Sequence, residues 1–239
     1  MFLKDYVIDP IPGACLQIPG KMLDESGACI MLYKIKSLFI DALINTIIAH
    51  PGFMETKLFL NAMKIFPEMI SSNYETSIVK GGGNYDEVIR NGLMSIQYKP
   101  ERILDICTGT GIASFIANEV FPDSRIVAID QSESMIKIAQ NKADEIGLSL
   151  IDFRIGNAVQ LLESDNSFDL IITSNAPIYL SEITRVLMPG GLFFISLSFG
   201  GQSIVKMEKK VTQFFGNYGL TLLDLKNVGK GVYIISEKK

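Results

Sequence analysis

The sequence predicts an α/β fold built on a mainly parallel sheet, and three observations carry that expectation. From about Pro100 onward, short apolar runs alternate with helical patterns, the signature of parallel strands joined by crossover helices. One such run, ILDI, passes straight into a glycine-rich loop and then a helix. The last two apolar runs are separated only by a short glycine turn, so they pair as an antiparallel hairpin and reverse one strand.

Taken in order, residues 1–20 hold Pro10, Pro12, Gly13, Pro19 and Gly20 and read as turn and extended chain. Helical patterns follow over about 28–49, 53–70 and 84–97, punctuated by Pro51-Gly52, by Ser71-Ser72-Asn73 and by the glycines at 81–83. Residues 1–99 therefore form a mostly helical region, and 100–239 form the α/β domain. In that domain, 102–106 is a buried-strand pattern and 112–120 the helix after it. A strand over 125–130 ends in an acid and precedes a helix over 133–146. A strand over 149–155, a short helix near Val159 and a strand over 168–173 come next. Helix 180–187, a turn at Pro189-Gly190-Gly191, strand 192–198 and helix 202–216 lead to strands 220–226 and 231–236, joined at Gly229. Seven strands result, six in one direction and one reversed, with helices on both faces.

Composition narrows the function classes. The chain has 239 residues, 48% of them hydrophobic, enough for a large buried core. A net charge of -4 and a pI near 5.1 argue against general nucleic-acid binding, which needs Lys and Arg against phosphates. Cys15, Cys29 and Cys107 are widely spaced, and the chain has one histidine, which suggests a reducing, cytoplasmic setting and no metal site. The start MFLKDYVIDPIPG lacks the pattern of a secretory signal. The apolar stretch 30–49 is interrupted by Lys34, Lys36 and Asp41, so it reads as a buried helix and no membrane span is expected.

The chemistry centres on the loop Asp105-Ile-Cys-Thr-Gly-Thr-Gly111, at the carboxyl end of the first strand, where open α/β sheets bind ligands. Gly109 and Gly111 let a ligand approach the backbone closely because they carry no β-carbon. A plain strand-to-helix turn would need no more than this pair of glycines, but three further features point to a nucleoside. Asp130, ending the second strand, can accept both hydroxyls of a ribose in charge-assisted hydrogen bonds, or else cap the helix that follows. Asn157, just past the third strand, can face an adenine edge, or simply form a turn. Thr173-Ser174-Asn175, ending the fourth strand, would face the reactive end of the ligand. A dinucleotide site needs a third glycine where this chain has Ser114, and no triphosphate-loop pattern is present. A ligand without a pyrophosphate is favoured.

These residues resemble class I S-adenosylmethionine-dependent methyltransferases over about residues 85–237, a Rossmann-like family. ILDICTGTGIASFIA resembles the family's first motif, and IVAIDQSESMIKIA its acidic second-strand motif. FRIGNAVQLLESDNSFDLIITSN resembles the adenine and fourth-strand motifs, and EITRVLMPGGLFFIS the approach to the fifth strand. The nearest group is the small-molecule enzymes that include those of quinone biosynthesis. The resemblance implies that Asp105, Cys107, Thr108, Gly109 and Gly111 surround the amino-acid part of S-adenosylmethionine and that Asp130 binds the ribose. It also implies that Gln131 and Met135 flank the adenine, that Asn157 and Ala158 hold its edge, and that Ser174 and Asn175 sit near the methyl group. S-adenosylhomocysteine would be the product, and a small-molecule acceptor the partner.

The chain departs from the family pattern in three places. Cys107 stands for the first loop glycine, Asn157 for a common aspartate, and the loop after the fourth strand is short. Methyl transfer from a sulfonium is an in-line displacement, so orientation and exclusion of water can carry much of the acceleration without a general base. Asn175, His50 and Tyr85 are the candidates for a chemical role, although His50 also reads as a helix end and Tyr85 as a packing residue. The helical region 1–99 is expected to act as a lid. Its apolar residues Ile30, Leu38, Phe39, Ile40, Ile47 and Phe53 fit an apolar acceptor or an ordinary core equally. Two other classes stay open: a regulatory module that keeps the nucleoside pocket without catalysis, and another nucleoside-using transferase such as an aminopropyl transferase. The absence of an acidic cluster near Asn175 counts against the last.

Overall fold

The computed structural model describes residue 46, residues 85–198 and residues 200–239. Thr46 is helical; the rest of the helix expected over 28–49, the one over 53–70, the extended start, His50, Cys15 and Cys29 lie outside the described residues. Helix α1 (Tyr85–Met94) precedes strand β1 (Arg102–Ile106), then α2 (Ile112–Val120), β2 (Arg125–Asp130), α3 (Glu133–Ile146) and β3 (Ile151–Ile155). Next come β4 (Phe168–Ser174), α4 (Leu180–Val186), β5 (Leu187–Leu197), α5 (Gly201–Lys206), α6 (Glu208–Gly216), β6 (Leu220–Val228) and β7 (Gly231–Lys238).

The strands form one seven-stranded sheet in the order β3-β2-β1-β4-β5-β7-β6. All pairings from β3 to β5 are parallel, and β7 runs antiparallel between β5 and β6. Alternation along each strand sends side chains to two cores. Leu104, Ile171, Phe193 and Ile234 pack under α4, α5 and α6. Ile103, Ile172, Phe194 and Ile235 pack under α1, α2 and α3. Both faces are covered, which is why the central strands read as nearly unbroken apolar runs.

Local chemistry explains the helix limits. Ser132 caps α3, its hydroxyl accepting from the Met135 N–H, and Gly147 ends it in a left-handed conformation at φ 71°. At Gly92 in α1 the closeness of packing leaves no room for a β-carbon, which would overlap the Phe194 ring and lie 2.8 Å from Tyr233 Cγ. Near the amino end of β4, Asp169 Oδ2 accepts from the backbone N–H groups of Glu101 and Arg102 at 3.1 and 2.7 Å, which fixes where β1 begins beside β4.

Three expectations are corrected. Residues around Val159 form a turn rather than a short helix, because Asn157 Oδ1 accepts from the Val159 N–H at 3.0 Å and closes the chain locally. The turn expected at Pro189-Gly190-Gly191 lies inside β5, whose Leu187 already pairs with Phe168, with a register shift between Phe168 and Leu170. The helix expected over 202–216 is broken at Met207 into α5 and α6.

Candidate active site at the carboxyl ends of the strands

The helices after β1 and after β4 leave the sheet on opposite faces, so a crevice opens at the carboxyl ends of these neighbouring strands. The loop from β1 to α2 lines it. Cys107, Gly109 and Gly111 all have left-handed backbones, with φ of 58°, 56° and 88°. The Thr108 N–H donates to the Ile129 carbonyl at 2.9 Å, and the Gly111 N–H to the Thr108 carbonyl at 3.0 Å, so the loop is tied both to β2 and to itself.

Asp105 is wholly buried beneath this loop. Its Oδ2 accepts from the hydroxyls of Thr108 at 2.7 Å and Ser114 at 2.6 Å, while Oδ1 has no hydrogen-bond partner. Burial pushes this carboxyl up to about 6, Ser114 and Thr108 pull it down, and nearby Asp130 raises it again. A buried carboxylate oxygen left unpartnered under a glycine loop suits a cationic group such as the ammonium of an amino acid.

Asp130 sits at the end of β2, its Oδ2 accepting from the Gly109 N–H at 2.8 Å and its Oδ1 from the Ser132 N–H at 3.0 Å. Ser132, not Asp130, is the helix cap. The Asp130 carbonyl also accepts from Gly156 N–H at 2.9 Å, which brings the chain after β3 up to the same strand end. There Asn157 is exposed, Ala158 is buried, and the amide oxygen of Asn157 is engaged in the turn described above. Gln131 is exposed, whereas Met135, in the first turn of α3, is buried.

At the end of β4, Ser174 is buried and its hydroxyl bonds that of Ser196 on β5. Asn175 has φ of 50°, and both ends of its amide are engaged: Nδ2 donates to Ser198 Oγ at 2.7 Å and Oδ1 accepts from the Ser198 N–H at 2.8 Å. It clasps β4 to β5 and positions the short segment that follows. That segment carries Tyr179, buried against the core under α4, whose phenol is pushed up to about 12 by burial and by the neighbouring Cys107 thiol. Burial, with Asp130 and Asp105 beyond it, pushes the Cys107 thiol up as well, so both groups stay protonated at neutral pH. Tyr85 is buried with Val88 and Ile89 at the start of α1.

The structure thus gathers Asp105, Cys107, Thr108, Gly109, Gly111 and Asp130 at one strand end, with Asn157 and Ala158 on one side and Ser174 and Asn175 on the other. Sequence reasoning missed Ser114, Tyr179, Ser196 and Ser198. Ser114 carries a legible signal, because a hydroxyl in the first turn of α2 points back at the Asp105 carboxylate.

An open, doubly covered α/β sheet with a glycine loop after β1 and an acid ending β2 defines a nucleoside-binding enzyme of the Rossmann-like class. Comparison with known proteins makes this specific. Residues 98–220 match the family model described as a methyltransferase domain. Among curated relatives, the demethylmenaquinone methyltransferase of Symbiobacterium thermophilum is 32% identical over 137 residues, covering 53% of this chain and 55% of that protein. That of Listeria welshimeri is 38% identical over 107 residues, covering 41% and 45%. The chain spans about half the length of the curated relatives it matches. A solved S-adenosylmethionine-dependent methyltransferase from Aquifex aeolicus shares the fold, with a TM-score of 0.54 at 20% identity over 67% of this chain and 96% of that one. The chain belongs to the methyltransferase-domain family, and the cofactor of this domain is S-adenosylmethionine.

Proposed function

We propose that this protein transfers a methyl group to a small, partly apolar acceptor of the quinone type, held at the carboxyl ends of β4 and β5. The observation that carries the site assignment is the pairing of the Gly109 loop with Asp130, above the buried and half-satisfied Asp105. Bound S-adenosylmethionine supplies a sulfonium-activated methyl group. In this reading Asp105 faces the ammonium of the cofactor, Cys107, Thr108, Gly109 and Gly111 shape its amino-acid channel, and Asp130 accepts from the ribose hydroxyls. Gln131 and Met135 lie on the adenine side, with Asn157 and Ala158 at its edge.

Among the described residues, the acceptor side is short of ionisable groups. Among the described residues there is no histidine, and Tyr179 stays protonated, so it can donate a hydrogen bond but cannot take a proton. An acceptor that brings its own nucleophilic atom fits such a site, with the Ser174, Ser196 and Tyr179 hydroxyls for orientation and Ile178 for apolar contact. The names of the two curated relatives support a quinone-type acceptor. Within region 1–99, α1 belongs to the core against the sheet, and the chain before it is proposed as the lid that completes the acceptor side and excludes water.

The test is mass spectrometry of the purified chain for co-purifying nucleoside, followed by calorimetric titration with S-adenosylhomocysteine and a radiolabelled methyl-transfer assay on a short-chain demethylated naphthoquinol. Binding together with transfer is expected. Binding without transfer would retire the quinone-type acceptor, and no binding would retire the site.

A further inference from the structure

Outside the loop and its acids, one side chain ties together more backbone than any simple ion pair needs. Arg185 on α4 donates from Nη1 to the Glu163 carbonyl at 2.8 Å and to Asp165 Oδ1 at 2.8 Å, and from Nη2 to the Leu161 carbonyl at 3.0 Å. Nε and Nη2 also hold both carboxylate oxygens of Glu182, at 2.9 and 2.8 Å. Glu182 Oε2 in turn accepts from the Leu161 N–H at 2.7 Å. Leu161 thus gives both its backbone polar groups to α4.

An exposed ion pair contributes little. Here the Arg185 and Glu182 side chains are only 30% and 18% exposed, the pairing is bidentate, and two of the acceptors are main-chain carbonyls. The Arg185 hydrogen bonds hold the Glu182 carboxyl below the usual carboxylate range, as a persistent pairing requires. Beneath the polar web, Ala158 and Leu161 share a core with Tyr179, Leu180 and Ile183, so the two segments also meet through apolar contact.

We infer that Arg185 is a positioning residue that locks the loop after β3 to α4, so that the adenine side and the acceptor side of the site become ordered as one unit. The loop carries Asn157 and Ala158 close to its start, and the short segment from Ser174 at the end of β4 to α4 carries Asn175 and Tyr179. Any ligand that settles the first segment therefore biases the second through a guanidinium that touches neither ligand. This rests on the proposed reading that Asn157 and Ala158 meet the nucleobase.

The experiment is hydrogen exchange by mass spectrometry on the full chain, with and without S-adenosylhomocysteine, in the parent protein, in Arg185→Gln and in Glu182→Ala. In the parent, the nucleoside should slow exchange both in peptides over 157–163 and in peptides over 175–186. In the variants the first protection should survive and the second should be lost. A purely structural role would raise exchange equally with and without nucleoside and leave the ligand-dependent difference in place, which overturns the inference. Protection confined to 157–163 in the parent also overturns it while leaving the site reading intact. A parent chain that binds without protecting 157–163 removes both. If Arg185→Gln does not fold, Glu182→Ala alone decides.

Discussion

Gly109 donates its backbone N–H to Asp130 Oδ2 at 2.8 Å, so the loop of one strand is closed on the acid that ends the next. A carboxylate at the end of β2 is also of the right chemistry to accept from ribose hydroxyls in charge-assisted hydrogen bonds. Asp130→Ala removes the loop tie and the hydroxyl acceptor together. Binding of S-adenosylhomocysteine should weaken by about ten- to hundredfold in calorimetry, on the scale of about 1.5 to 3 kcal/mol for charge-assisted hydrogen bonds. Asp130→Asn keeps one acceptor oxygen and should fall between. Unchanged affinity in the alanine variant would end the assignment.

Asp105 predicts a pH dependence with opposite signs for stability and for binding. Its carboxyl moves from an ordinary 3.8 to about 6, chiefly through burial. The folded state therefore holds this proton more tightly than the unfolded one. Its contribution to stability is full below the unfolded value and is lost as pH rises toward about 6, a change of about 3 kcal/mol. Binding of a cationic group needs the ionised form, so affinity for S-adenosylhomocysteine should drop as pH falls below about 6. Asp105→Asn should bind weakly at every pH and flatten both profiles, as thermal melts and titrations between pH 4 and about 8 would show.

Gly92→Ala should destabilise the chain without touching the loop. The added methyl meets Phe194 and Tyr233, which stack with ring centroids 6.3 Å apart under α1. Overpacking of this kind costs about 1–3 kcal/mol. At about 2–4 °C per kcal/mol for a domain of this size, the melting temperature should fall measurably while affinity for S-adenosylhomocysteine holds.

At Cys107, two replacements separate conformation from packing. The residue sits at φ 58°, where glycine is at ease and other residues are strained by about 1–2 kcal/mol. Cys107→Ala loses thiol packing and keeps the strain, whereas Cys107→Gly loses the packing and relieves it. Denaturant titration should therefore find the glycine variant more stable than the alanine variant by about 1 kcal/mol.

Most of the sheet was legible because its strands are buried on both faces and its helices carry readable ends. The bounds of α2 and α3 follow from Gly111, Ser132 and Gly147, residues whose local chemistry acts within one turn. Errors fell where a distant partner decided the outcome. Pro189-Gly190-Gly191 reads as a turn until Phe168 pairs with Leu187, and Val159 reads as helical until Asn157 bonds its N–H. The same limit applies at the site. Asp130 and the glycines announce themselves by spacing, but the clasp between Asn175 and Ser198 joins residues 23 apart and leaves no local pattern. Nothing in the order of residues reveals that Leu161 offers both its backbone groups to Glu182 and Arg185.

The placement of β7 sets a timetable for the chain. Residues 231–238 are made after those of β6, yet they lie between β5 and β6. While the chain is being synthesised, β6 has no partner on the sheet to which it can attach, because the strand it needs has not emerged. A segment from β3 to β5 can pair in parallel as it appears, with α1 closing one face. The edge carrying β6 must wait, leaving β5 as a temporary open border until the tail slots in. Shortening the chain within 231–238 therefore removes an interior strand and sets β6 adrift, so a nascent protein that stalls there presents two unpaired edges to its neighbours.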